Sequence, residues 1–372
     1  MDIINFAIHA VFWPLAFIFL FRIPRCRSNK MGNSSYPSVS VIIPARNEEK
    51  VLPVLFTSLR DQSFTPDEII VVVNQSRDKT RDIAEKEGAH TIPSAPLPAG
   101  WLGKPWACYQ GAKAARGEIL IFLDADAFFE KDGLKKLLDE SLRKDGIISI
   151  QPYHKTKKLY EQFSAFFNLI EMAAMGAFTI AGRHASPIGL FGPCIIMRRE
   201  TYFNKGGHRE VSGEIVEDLV LGESFKRGAV PIYCYGGKGT VSFRMYSNGI
   251  KELIDGWSKN FALGAAKTPL PMRLAIIAWI GGGIGSVIYL TEAILNMNTF
   301  LIISWASLYV GYAIQIYWMT LRLGTFRFYT ALFYPVFLLF FIGVFLRSFF
   351  FVFIKKKVMW KGSTISLKKP EK

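Results

Sequence analysis

Asp124 and Asp126 close the apolar run Ile119–Leu123 in the stretch ILIFLDADAFF. Alternate residues of a strand point the same way, so two carboxylates at its carboxyl end are expected to face one crevice, where open α/β sheets bind ligands. Their oxygens suit a hard divalent cation, Mg2+ or Mn2+, shared with the phosphates of a substrate. Two aspartates of an ordinary turn are the plainer alternative.

Other polar groups end apolar runs in the same way. VSVIIPA leads into Arg46, Asn47 and Glu48. Pro44 stops a strand ladder and Asn47 is placed to cap the next helix, which leaves Arg46 and Glu48 unexplained. In VVVNQSRDKT, Asn74 is placed to hydrogen-bond a base and Asp78 to cap a helix. The loop Gly100–Trp106, GWLGKPW, sets two tryptophans and Lys104 among glycines. It reads as a lid or ligand platform, or as packing on the sheet, with Lys104 a candidate phosphate contact. Glu217 and Asp218 open a helix-like run, where the helix dipole favours acids; Asp218 is also a candidate general base. His154 and His208 have no partners at ligand spacing and read as structural or surface residues.

Positioning these groups requires strands that alternate with helices. VSVIIPA, EIIVVV, EILIFLDAD and IISIQPY are expected strands, and Glu48–Gln62, Asp78–Glu87, Trp106–Ala115 and Gly133–Lys144 expected helices. Units this short predict a parallel sheet wrapped by helices, one α/β domain over residues 38–242.

Half of the 372 residues are apolar and the mean hydropathy is +0.22, so part of the chain belongs in a bilayer. The run Ile3–Phe21, followed by Arg22, Arg25, Arg27 and Lys30, reads as a membrane anchor within residues 1–30, its basic side facing the cytoplasm. A signal peptide would carry its charges before the apolar core. Residues 243–270 read as an interfacial helix region in which Ile250, Leu253, Ile254, Trp257 and Phe261 form one stripe. Trp257 is then an aromatic anchor and Lys251 and Lys259 meet headgroups, or Lys259 or Arg244 serves a phosphate. Spans follow at about Arg273–Leu295, Thr299–Met319 and Phe328–Ile354, within 271–354, before a basic tail, 355–372. Pro335, Gly343 and Arg347 interrupt the last span, and a re-entrant hairpin there would return Lys355–Lys357 to the cytoplasmic side.

Lysine and arginine outnumber acids 45 to 30, which suits anionic lipid or a polyanionic substrate. No basic and aromatic motif of a nucleic-acid reader accompanies them, so nucleic acid is not an expected partner. Cys26, Cys108, Cys194 and Cys234 have neither zinc-ligand spacing nor a disulfide pattern.

In combination, IIPARNE, the polar end of the second strand, DAD and the later ED resemble the family-2 inverting glycosyltransferases, over roughly residues 38–265. The resemblance implies an α/β, Rossmann-like nucleotide-sugar-binding domain of GT-A type, flanked by transmembrane helices. It implies that Pro44, Glu48 and Asn74 line the nucleotide pocket and that Asp124 and Asp126 are the DxD pair. Lys104, Trp257 and Lys259, the last two from the interfacial helix, are added as candidate contacts of the nucleotide-sugar site on their own residue types and positions. Asp126, with Asp124, would hold a divalent cation and Asp218 would be the base. An acid often stands in the family where Asn74 stands. The QxxRW motif of processive members is absent, which argues for transfer of one sugar. The stretches GKPWACYQGA, FGPCIIMRRETYFNKGGH and the terminal WKG resemble a branch that esterifies glucose from UDP-glucose onto the carboxylate of a C30 carotenoid acid. Other lipid acceptors, a hopanoid, a diacylglycerol or a polyprenyl phosphate, fit the same family. A transporter or non-catalytic membrane scaffold is the reading from another class.

Overall fold

The strands read from the sequence are apolar on both sides because both faces of their sheet are covered. The computed structural model describes residues 2–28, 36–360 and 363–366; Lys30 and the Lys361-Gly362 pair of the terminal motif lie outside them, as do residues 367–372 of the basic tail. The strands of the α/β part are β1 Val39–Ala45, β2 Glu68–Val73, β3 His90–Pro93, β4 Ile119–Leu123, β5 Ala127–Phe129, β6 Ile147–Gln151, β7 Tyr153–His154, β8 Cys194–Arg198, β9 Ile232–Gly236 and β10 Val241–Phe243.

The main sheet has the order β3-β2-β1-β4-β8-β6-β9, and β5-β10-β7 form a smaller one. Val39, Val41 and Ile43 of β1 pack with Leu52, Leu55 and Leu59 of the helix Leu52–Arg60 and with Leu134, Leu137 and Leu138 of the helix Gly133–Arg143. Ile42 points the other way and packs with Leu120, Phe122, Ala107 and Ala112, on the side of the helix Gly103–Ala114. The two-residue period of the strand thus feeds two separate cores.

The sheet is mixed, where a parallel one is expected from the alternation. β8 runs antiparallel to both β4 and β6, pairing Leu123 with Cys194 and Ile150 with Cys194. One consequence reaches the site: residues just before β8 lie at the edge where β4 ends. A second expectation changes at the same place. The strand stops at Leu123, and Ala127 N–H donates to Asp124 O (3.0 Å), so Asp124 and Asp126 occupy a turn rather than alternate positions of one strand.

The chain divides into two compact units, Pro24–Lys155 with Pro187–Met245, and Met1–Ile23 with Thr156–Ser186 and Tyr246–Lys372. The range 38–242 therefore contains an excursion, Thr156–Ser186, whose helix Ala165–Ala174 is buried in the second unit.

In that second unit, three helices among the described residues are long and apolar enough to cross a membrane: Leu270–Leu295, Thr299–Leu323 and Tyr334–Ile354. The N-terminal run forms two shorter helices, Asp2–Phe12 and Leu15–Phe19, separated at Trp13 and Pro14. Small residues allow close packing here. A Cβ on Gly282 would stand 2.1 Å from Tyr312 Oη, and one on Gly285 2.1 Å from the His9 ring. Pro335 sits in the first turn of Tyr334–Phe349, where proline is tolerated. The last run is accordingly a short helix, Phe328–Leu332, and, after a turn at Phe333, one continuous helix from Tyr334 that closes in a π-type turn over Phe350–Ile354, and not a hairpin at Gly343 or Arg347. Arg347 on it pairs with Asp255 of the helix Ile250–Lys267 at 2.8 Å.

His208 is a core residue of the α/β unit, its Nδ1 3.0 Å from Tyr202 Oη and its ring against Phe122. Burial, with the charge of Lys104 adding to it, lowers its pKa from 6.5 to about 3. The folded state resists a proton that the unfolded chain accepts, so this stabilisation is present above the unfolded pKa and is lost as pH falls from about 6.5 towards 3. The melting temperature should therefore decline through that window, and His208→Gln should flatten the decline. Parallel pH profiles for the two proteins would place the acid sensitivity elsewhere.

Candidate active site

The topology brings the polar ends of several segments to one edge. β1 lies between β2 and β4, so the chain reverses its direction of sheet growth there, the position at which α/β sheets open a crevice at their carboxyl ends. Pro44, half-buried, pairs with Val72 inside the β1–β2 ladder. The loop after β1 is laced to the loop after β2. Asn47 Oδ1 accepts from Arg77 N–H (2.9 Å), Glu48 N–H donates to Thr80 Oγ1 (2.8 Å), and Glu49 N–H donates to Asp78 Oδ2 (3.1 Å). This explains why the first helix starts at Leu52 rather than Glu48: Asn47 ties the two loops and does not cap. Asp78 also accepts from Thr80 N–H and Oγ1. These bonds, working against partial burial, hold its carboxyl below the usual range.

Asn74 follows β2, its backbone N–H donating to Ala45 O (2.8 Å). Its side chain lies over Gly103, where a Cβ would come 2.5 Å from Asn74 Nδ2. Gly103 begins the helix that carries Lys104. Trp101, just upstream, and Trp106, within that helix, pack on each other and on Tyr109, with centroids of Trp101 and Trp106 4.9 Å apart and of Trp101 and Tyr109 5.4 Å apart. Trp106 Nε1 donates to Ala95 O (3.0 Å) and Leu102 N–H to Ser212 O (2.7 Å), which pins the loop.

Lys104 is the centre of the site. Its Nζ lies 3.0 Å from Asp124 Oδ1, 3.3 Å from Glu217 Oε1 and 3.7 Å from Asp218 Oδ2. Desolvation opposes its charge, but Asp124, Asp218 and Glu217 together outweigh it and hold the ammonium well above the ordinary lysine range. Cys108, on the same helix, is the opposite case: burial, opposed by the Lys104 charge, pushes its thiol well up, which leaves it inert as a nucleophile.

Asp218 stands in the first turn of the helix Glu217–Arg227, and its carboxylate fills the space where Gly192 has no side chain. A Cβ on Gly192 would lie 1.8 Å from Asp218 Oδ2. Leu190 N–H donates to Asp218 O (3.2 Å), and a Cβ on Gly222 would meet the Gly189 backbone at 2.6 Å. The segment Gly189–Pro193 is thus pressed onto this helix, and only glycine permits the approach. Gly192 carries no chemical signal of its own in the sequence; its importance comes from β8 running antiparallel.

Asp126 is half-buried in the turn after Asp124, and its carbonyl accepts from Arg244 N–H (3.4 Å). Among the described residues no group of three or more His, Cys, Asp or Glu side chains is arranged to hold a metal ion. The chain offers the two turn carboxylates, which fits cations that take one or two carboxylates and leave the remaining positions to water and phosphate.

Comparisons with known proteins give the family and the fold. Residues 40–206 match the family described as Glycosyl transferase family 2. Proteins named 4,4'-diaponeurosporenoate glycosyltransferase are 33% identical in Staphylococcus aureus (strain USA300), over 92% of both chains, and 37% identical in Staphylococcus haemolyticus (strain JCSC1435), over 91% of both. The chain belongs to glycosyl transferase family 2. A mannosyltransferase from Pyrobaculum calidifontis, solved with GDP-Man and Mn2+, shares the fold with a TM-score of 0.51 at 16% identity, covering 92% of this chain and 95% of that one.

For this family-2 glycosyltransferase, the structure brings together Lys104, Asp124, Glu217 and Asp218, with Asn74 one residue contact away through Gly103. Trp257 and Lys259 belong to the helical unit. Trp257 is buried there, stacked on Phe167 with centroids 4.8 Å apart, and its Nε1 donates to Ser164 Oγ (3.1 Å), so its ring serves packing. Lys259 is half-buried on the same helix.

Gly192→Ala should push the Asp218 carboxylate out of place while sparing the core. A drop in kcat of about 100-fold with little change in melting temperature is expected; unchanged turnover would show that the position of Asp218 is not required. Lys104→Met removes the ammonium that pairs with Asp124, Glu217 and Asp218 and should lower stability by about 2 kcal/mol. Adding Asp124→Asn should restore part of that loss in denaturant titrations, and strict additivity of the two changes would show that the pair is not coupled.

Proposed function

We propose that this protein transfers one glucose from UDP-glucose to the carboxylate of a C30 carotenoid acid, 4,4'-diaponeurosporenoate, forming a glycosyl ester. The observation that carries the reading is the convergence of Asp124, Glu217 and Asp218 on Lys104 at the carboxyl edge of the sheet. The names of the staphylococcal relatives support the acceptor.

In this reading Pro44, Glu48 and Asn74 frame the nucleotide, and Lys104 faces the diphosphate. Asp124 and Asp126 would hold Mg2+ or Mn2+. When bound, that cation offsets negative charge on the departing diphosphate. The acceptor oxygen attacks the anomeric carbon from the face opposite the diphosphate. The new C–O ester bond forms as the bond to phosphate oxygen breaks, the electron pair leaves with UDP, and the configuration inverts. A carboxylic acid acceptor is already ionised near neutral pH, so Asp218 has no proton to remove and orients the acceptor or the sugar. A hydroxyl acceptor would instead need Asp218 as a base.

The three long apolar helices support residence in the cell membrane, where a C30 polyene dissolves, and the basic residues after the first apolar run support a cytoplasmic α/β unit supplied with soluble donor. The helix carrying Trp257 and Lys259 is the one we assign to the acceptor's approach from the bilayer.

Lipid extracts from cells making 4,4'-diaponeurosporenoate, with the intact chain or with Asp218→Asn, provide the test. Mass spectrometry should find the pigment heavier by one hexose with the intact chain, and on the order of 100-fold less with the variant. Absence of the adduct, with the protein present in membranes, would overturn the carotenoid acceptor and direct the search to a hopanoid, diacylglycerol or polyprenyl phosphate. With the acid acceptor, turnover should be flat between about pH 6 and 8, since the acid is ionised and Lys104 stays protonated throughout.

A further inference from the structure

One segment beside the Lys104 group has an unusual composition for an exposed loop. Residues 91–103 contain no charged side chain, although a fifth of the whole chain is charged. Residues 95–100 read APLPAG, and Leu97 in their middle is 48% exposed. An apolar stretch left in contact with water marks a place where an apolar ligand, a partner or a membrane is met.

The stretch is fixed at both ends. At its start, Ser94 N–H donates to Val73 O (2.9 Å), Ala95 N–H donates to Gln110 Oε1 (2.8 Å), and Trp106 Nε1 closes on Ala95 O. At its end, Trp101 N–H donates to Pro98 O (3.1 Å) across a turn in which Gly100 takes a φ of +81°. Pro96 and Pro98 fix two φ angles in between. Trp101, Trp106 and Tyr109 pack together beside it, all three half-buried, so the stretch is the rim of an aromatic surface rather than a lid.

Its anchors are the elements of the site. Leu102 N–H donates to Ser212 O, and a Cβ on Gly213 would come 2.9 Å from Gly100 O. The turn therefore lies against the chain that leads into the helix Glu217–Arg227. Gly103 and Lys104 follow it directly, with Asn74 over Gly103. A bilayer contact needs no such ties to the acids. Interfacial anchors also set lysine or arginine among their apolar residues, and residues 91–103 have none.

We propose that residues 95–101, with the Leu97 side chain and the Trp101 ring as the contacts, hold the hydrocarbon chain of the acceptor next to its carboxylate. The proposal rests on the reading that the acceptor is a long apolar acid, and adds where its chain is gripped. A surface already fixed by its own hydrogen bonds and prolines orders little more when a ligand settles on it, so most of the apolar contact is kept as affinity.

The experiment measures binding of 4,4'-diaponeurosporenoate to the full chain in the presence of UDP, in detergent micelles and in phosphatidylcholine vesicles, with hexose transfer followed separately. Leu97→Gln should weaken binding of the acid about fivefold in both media, and Leu97→Gln with Trp101→Gln about twentyfold, while the affinity for UDP stays the same. Leu97→Phe, which keeps the position apolar, should bind the acid as the intact chain does. Leu142→Gln, at a leucine 43% exposed on the helix Gly133–Arg143, should have no effect. Unchanged binding in Leu97→Gln would overturn the proposal. So would weakening confined to vesicles, which would assign the loop to the bilayer, or an equal loss of UDP affinity, which would assign it to the donor. Binding of the acid by the intact chain without hexose transfer would overturn the proposed reaction and leave the loop's role standing; no binding by the intact chain would overturn both.

Discussion

The site rests on one ammonium group. Asp124, Glu217 and Asp218 come from the end of β4 and the start of the helix Glu217–Arg227, and without a cation among them their charges would drive those elements apart. Lys104 joins them from a third element, the first turn of the helix Gly103–Ala114. The surrounding contacts serve that meeting. Gly103 lets Asn74 lie against the start of the lysine's helix, Gly192 makes room for the Asp218 carboxylate, and Gly222 lets the acid-bearing helix touch the Gly189 backbone. The three acids hold the pKa of this lysine well above the ordinary lysine range, so near neutral pH it acts as a fixed counter-ion rather than a proton donor.

Topology explains how residues so far apart in sequence reach it. The reversal at β1 puts the ends of β1, β2 and β4 side by side, and the antiparallel β8 delivers Gly192 to the same edge from the opposite chain direction. A wholly parallel sheet would begin that strand at the far edge, and its entering loop would lie away from the acids. The departure from parallel order is thus what places a glycine against Asp218.

Much of this was legible in the sequence where residue type alone determines structure. VSVIIPA and EIIVVV are β1 and β2 residue for residue, since a run of branched side chains buried on both faces allows little else. Lys104, Asp124 and Asp218 could be picked out because charged residues bordering apolar runs at strand and helix ends have few structural excuses. The direction of β8 was not legible: CIIMR is apolar in either orientation, and direction is decided by its partners. The role of Asn47 was misjudged because capping is a local rule, while Arg77, thirty positions away, offered its N–H instead. Gly192 was invisible because a glycine records a neighbour's side chain that only the fold supplies.

The excursion Thr156–Ser186 shows a limit of another kind. AFFNLIEMAA has the length and composition of an ordinary core helix, and nothing in ten residues tells which core. Its position has a mechanical consequence. β6 and β8 are paired neighbours, Ile148 opposite Ile196, yet the chain between them passes through the helical unit. Counting the crossings at Ile23, Lys155, Ser186 and Met245, the α/β unit is two separate lengths of chain and cannot be cut out as one continuous piece. Deleting the excursion would leave the β6–β8 pairing to be closed by a much shorter loop. The loop-closure term changes only slowly with length, so the main loss would be the apolar surface that Phe166, Phe167, Leu169 and Met172 bury. That surface belongs to the helical unit, which makes the sheet's own connectivity depend on the same residues that complete the helices.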